Sequence, residues 1–259
     1  MKKLLKAVAA GAITFLAGVN LGHAQATADG IGKIIPVHLY ACDYNDGKDA
    51  SDMNRAIERW NRFMDEQGID SYAAWTLVPY HYAGEPSADI MWLGAYSDGN
   101  AMGAGTDIWL TEGSDMAEEF AEVATCAAHL GFSSAMYKAP PDGNTPGSGI
   151  IDMSNCKMKD GVRYSDVMSA EVKWAEYLNE NGSRVATYHF FPMNGGGNQD
   201  FDYKIISAYE NYTEYGKDWE HSANGGGRAV SMGLFNDLDD CDDSRVYVAT
   251  SIRSAGIRD

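Results

Sequence analysis

A fifteen-residue stretch occurs twice in this chain, and nothing else in the sequence constrains the fold as strongly. Residues 46–60 read DGKDASDMNRAIERW, and residues 160–174 read DGVRYSDVMSAEVKW. The match continues beyond them. Phe63, Met64 and Gly68 meet Tyr177, Leu178 and Gly182, and Trp75, Leu77 and Pro79 meet Tyr188, Phe190 and Pro192. Ala95 and Tyr96 meet Ala208 and Tyr209, while Phe120, Val123, Cys126 and Phe132 meet Phe235, Leu238, Cys241 and Tyr247. Agreement in this order marks an internal duplication. Two copies make a pair of domain-sized repeats, not a solenoid.

Each copy has a readable order of elements. Apolar, β-branched runs at 34–42 and 150–153 predict a first strand. Ser51 and Ser165 stand where an N-cap belongs, with Asp52 and Asp166 in the first turn. Ala56, Ile57, Trp60, Phe63 and Met64 then recur at helical spacing until Gly68. Strands follow at 72–82 and 90–96, and at 184–193 and 203–209. A second helix is predicted over 115–125 and 230–238, and a last strand over 130–137 and 245–252. The order is βαββαβ, the ferredoxin-like split unit. The strands look apolar on both faces: Trp75 and Leu77 oppose Val78 and Tyr80, and Tyr188 and Phe190 oppose His189 and Phe191. Helices cover one face, so the other is expected to meet the second copy's sheet. The predicted fold is α+β: two tandem ferredoxin-like repeats, 33–139 and 149–257, joined by a Pro/Gly linker at 140–148. They would pack sheet to sheet as a pseudo-dimeric barrel, a monomer with an internal pseudo-twofold.

In element order and duplication the chain resembles the dimeric α+β barrel proteins in fused form. That group includes antibiotic-biosynthesis monooxygenases, chlorite dismutase-like haem proteins and stress-responsive barrel proteins. The resemblance implies a fold and, through its members, a monooxygenase- or haem-type enzyme as one reading. No catalytic motif of the group is matched.

Residues 1–26 read as a signal peptide: Lys2, Lys3 and Lys6, an apolar run, then Ala24-Gln25-Ala26. The run is too short for a membrane span, and export to the periplasm or medium is expected. The formal charge of −17 repels nucleic acid and anionic lipid and argues against both as partners. Four cysteines in an exported chain favour disulfides. The duplication favours Cys42–Cys126 and Cys156–Cys241, because the end of strand one lies beside the start of strand four in each unit.

Motifs for familiar chemistry are missing. The glycine runs at 99–105, 194–198 and 224–228 lack phosphate-loop or dinucleotide context and read as rim loops. No resident cofactor is expected. The alternatives are calcium at the acidic stretches 43–49 and 237–243, and haem through a lone axial histidine. Aromatic residues are the richest signal. Trp60 and Trp174 read as plugs between helix and sheet. Trp75, Tyr80, His81, Trp92 and Trp109 in the first copy, with His189 in the second, are the candidate ligand-binding residues. The favoured reading is an exported, non-enzymatic module binding a small apolar or aromatic ligand. The alternatives are a monooxygenase- or haem-type enzyme and an envelope interaction or stress module.

Overall fold

The structure, a computed structural model, describes residues 32–143 and 147–254; the expected signal peptide lies outside them. The first repeat runs β1 (Ile35–Tyr44), α1 (Ala50–Glu66), β2 (Tyr72–His81), β3 (Ile90–Tyr96), α2 (Gly99–Glu112), α3 (Ser114–Val123) and β4 (Ala124–Lys138). The second runs β5 (Gly149–Met158), α4 (Tyr164–Glu180), β6 (Ala186–Asn194), β7 (Tyr203–Tyr209), α5 (Tyr212–Asn224), α6 (Gly227–Phe235), β8 (Asp239–Cys241) and β9 (Arg245–Ser254).

Eight strands close into an antiparallel barrel in the order β2-β3-β1-β4-β6-β7-β5-β9, with β9 returning to β2. Closure depends on exchange between the repeats. The last strand of each, β4 or β9, pairs with its own first strand and with the second strand of the other repeat. The barrel centre is packed by both copies alike: Leu39, Leu77, Leu93 and Phe132 meet Met153, Phe190, Ile206 and Tyr247. Helices cover the outer faces. Met53, Ala56 and Ile57 of α1 pack on Ile90, Val123 and Ala124.

Both disulfides join register partners, Cys42 to Cys126 and Cys156 to Cys241. They span 84 and 85 residues. Loops of this length stabilise by about 4–5 kcal/mol each in the chain-entropy model.

Local chemistry departs from the sequence reading in four places. Asp49, not Ser51, caps α1: its carboxylate accepts the Ser51 and Asp52 N–H groups, while Asp52 accepts the Asp49 N–H. In α4 the cap position is Arg163, whose N–H goes to Asp166, so Ser165 is already helical. The glycine run at 99–105 is helix and not a rim loop. Asp98 takes the Asn100 and Ala101 N–H groups, and Met102, Ile108 and Trp109 pack inward, which outweighs the weak helix propensity of glycine. Trp60 is buried as a plug, but Trp174 is half-exposed and stacks on Tyr177. The Trp92 that Trp60 packs against has Ile205 as its counterpart, so the second copy offers no aromatic edge to receive a plug. No helix among the described residues is long and apolar enough to cross a membrane.

Candidate active site

The six candidate residues do not converge. Trp75 lies against the barrel core with its indole N–H on the Gly147 carbonyl, 2.8 Å away. Trp92 and Trp109 sit on the helix side of the first sheet. Trp92 donates to the Tyr72 hydroxyl at 2.9 Å and meets Trp60 edge-on, and Trp109 meets Phe63. Tyr80 and His81 are exposed at the end of β2, beside Tyr212. His189 alone belongs to a polar site.

That site lies between α4 and the outer face of the second sheet. β6 turns His189 toward the helix, because alternate residues Tyr188 and Phe190 face the barrel. Its ring is 1% exposed. Nε2 lies 2.9 Å from Oε1 of Glu171, itself buried on α4, and Nδ1 lies 3.1 Å from the Tyr164 hydroxyl at the start of that helix. With the phenol donating to Nδ1, Nε2 carries the imidazole proton and donates it to the carboxylate. Tyr203 stacks on the imidazole at 4.4 Å, and the tilted Tyr137 ring lies 4.3 Å from it. The Tyr203 hydroxyl donates to Asp239 of β8.

Two side chains here are poorly matched to their buried surroundings. Burial, with Glu171 as a like charge, lifts the Asp239 carboxyl above its ordinary range despite the Tyr203 hydrogen bond and His189. Burial, then Glu171, likewise pushes the Tyr137 hydroxyl up. That hydroxyl is buried and has no hydrogen-bond partner, a condition that costs about 1–3 kcal/mol. An unsatisfied donor beside a buried acid–base pair is what a polar ligand atom would complete.

The sequence shows where the partners came from. Glu171 stands three residues before Trp174, as Ile57 does before Trp60. Asp239 stands two before Cys241, as Ala124 does before Cys126. Tyr203 pairs with Cys156, as Ile90 pairs with Cys42, and His189 replaces Thr76. An acid in the apolar stripe of α4 was the readable signal for a partner to His189. The acidic stretches proposed for calcium are otherwise engaged: Asp239 holds Tyr203, Asp240 meets Lys159, Asp242 binds Arg245, and Asp49 is a cap. No cluster of three or more His, Cys, Asp or Glu suited to a metal occurs among the described residues.

No protein-family model and no curated protein sequence matches the chain. Solved structures do match its fold. A monooxygenase, provisionally assigned, from Lactobacillus acidophilus aligns with a TM-score of 0.54 at 10% identity, covering 84% of this chain and 95% of that one. A provisionally assigned chlorite dismutase aligns at 0.52 and 7% identity, covering 85% and 96%. A haem-binding protein from Thermus thermophilus aligns at 0.51 and 11% identity, covering 85% and 92%. At these identities the shared property is the chlorite-dismutase and ferredoxin-like barrel fold. The expectation of a non-enzymatic ligand module is overturned here. The three chains just named are described as a monooxygenase, a chlorite dismutase and a haem-binding protein, and the aromatic residues offered as a pocket lie in separate parts of the core and surface.

Haem is the cofactor this fold brings into question, and His189, the histidine of the polar site, does not fit it. Both His189 nitrogens are engaged and its ring is flanked by Tyr203 and Tyr137. His81 and His129 lie on the surface.

Proposed function

We propose that the protein is an oxidative enzyme of the α+β barrel kind, one that uses dioxygen on an aromatic substrate with an ionisable hydroxyl. The carrying observation is the Tyr164–His189–Glu171 chain. A half-exposed phenol is held by a buried imidazole, and a buried carboxylate stands behind it. Tyr164 shows what His189 is shaped to bind. A substrate phenol that displaces it would give its proton to Nδ1, and Glu171 would stabilise the imidazolium. The resulting phenolate is electron-rich enough to reduce dioxygen. For an anthrone-type substrate a CH2 becomes C=O, with one oxygen atom retained and the other leaving as water. Phe191 and Tyr203 supply aromatic walls, and the free Tyr137 hydroxyl supplies a donor. The barrel relatives described as a monooxygenase and an anthrone oxidase-like protein support the same class. Two disulfides support a working place outside the reducing cytoplasm.

The test is oxygen uptake by purified protein with a panel of hydroquinones and anthrone-type phenols. Uptake should occur without added cofactor, and His189→Gln should lower kcat by about 100-fold or more. Tyr164→Phe should lower KM, because the internal competitor is gone. Uptake that His189→Gln leaves intact, or a stoichiometric Soret band in active protein, overturns the proposal.

A further inference from the structure

A second polar intrusion lies elsewhere, at the end of the barrel. Lys204 is on β7, where its neighbours on the same face, Ile206 and Ala208, point into the apolar core. It is 9% exposed. Its ammonium sits 4.3 Å from the centre of the Phe201 ring and 6.0 Å from that of Phe132, and it donates to the side-chain oxygen of Asn155. Its counterpart in the first repeat is Met91, paired to Ala41 as Lys204 is to Asn155.

What Lys204 lacks is a carboxylate of its own. Asp242, the nearby acid, is used on both oxygens: one takes the Asn155 backbone N–H at 2.6 Å and Arg245 at 3.2 Å, the other the Asn155 amide at 2.8 Å and Arg245 at 2.8 Å. No ion pair to Lys204 occurs among the described residues. The charges facing it are Arg245 of β9 and the neutralised Asp242. Burial, then Arg245, against a weaker pull from Asp242, brings its amine down to about 8. Lys138, the other buried lysine, differs: it spends its protons on the Ser183 and Val185 carbonyls and is 2% exposed.

We propose that Lys204 is a carbonyl-capture site, whose ε-amine condenses with a small aromatic aldehyde to form an imine and release one water. The amine supplies the electron pair, and the carbonyl oxygen leaves with both amine protons. The flat ring would lie against Phe201, the half-buried ring 4.3 Å from the amine. No oxidant or metal takes part, and the site is independent of the His189 chemistry.

Benzaldehyde with cyanoborohydride, followed by peptide mapping of the native protein, tests this. Near neutral pH, Lys204 should be labelled at least about tenfold faster than the exposed, ion-paired Lys157, Lys159 and Lys217, because a far larger fraction of it is unprotonated. Its labelling should rise with a midpoint near 8. Lys204→Met and Lys204→Arg should each remove the adduct while leaving the others. Label spread evenly over the surface lysines, or a Lys204 midpoint shared with them, overturns the proposal.

Discussion

The two repeats build the same barrel half from the same elements, yet they differ in what they bury. Under α1 the first repeat places Ile57, Thr76, Ile90 and Ala124. Under α4, at the matching positions, the second places Glu171, His189, Tyr203 and Asp239. The apolar version shows that the architecture does not need the polar one. A buried ion-capable network costs desolvation that an apolar core avoids, so its presence in one half speaks for chemistry and not for stability.

The equivalence of the halves is most severely tested at the disulfides. Replacing Cys42 and Cys126 by serine, or Cys156 and Cys241, should each cost about 4–5 kcal/mol in urea unfolding. Costs differing by more than about 2 kcal/mol would mean that the halves do not share one unfolded-state constraint. The next effect separates them. Glu171→Ile alone should cost about 3 kcal/mol, by stranding the buried His189 N–H, and adding His189→Thr should return most of that loss. A double variant no better than the single would mean the second half cannot accept the first half's core.

Lys204 gives a smaller, pH-dependent difference. Its amine titrates near 8 when folded and near 10.5 when unfolded, so between these values the unfolded chain binds more protons and stability rises with pH. From pH 8 to about 9.5 the native protein should gain about 2 kcal/mol relative to Lys204→Met, measured by chemical denaturation. The smallest effect is at the caps. Asp49→Ala should cost α1 about 1 kcal/mol, and no equivalent change exists at Arg163, which offers no acceptor to the first turn of α4.

The barrel was legible in the sequence because duplication acts as an internal alignment. Matched aromatic and cysteine positions fixed element order, and strands apolar on both faces required a second sheet. The site was half legible. His189 was among the candidate residues, but its partner was hidden on α4, where Glu171 takes the place of the apolar Ile57. Tyr137 was beyond reach of the sequence comparison within one repeat, since it arrives from the first repeat through β4. The glycine run at 99–105 misled because it was judged by the missing phosphate-loop and dinucleotide context, while its cap, Asp98, went unweighed.

Strand exchange within one covalent chain has a consequence for how such a site can arise. In a barrel assembled from two identical chains, every substitution occurs twice, related by the dyad. A buried histidine–glutamate pair would then carry its desolvation cost on both sides. Joining the copies breaks that obligation: one half can remain an oily frame while the other accumulates charge, and the frame's own β4 delivers Tyr137 across the boundary. The linker therefore does more than hold the halves together; it permits them to become unequal.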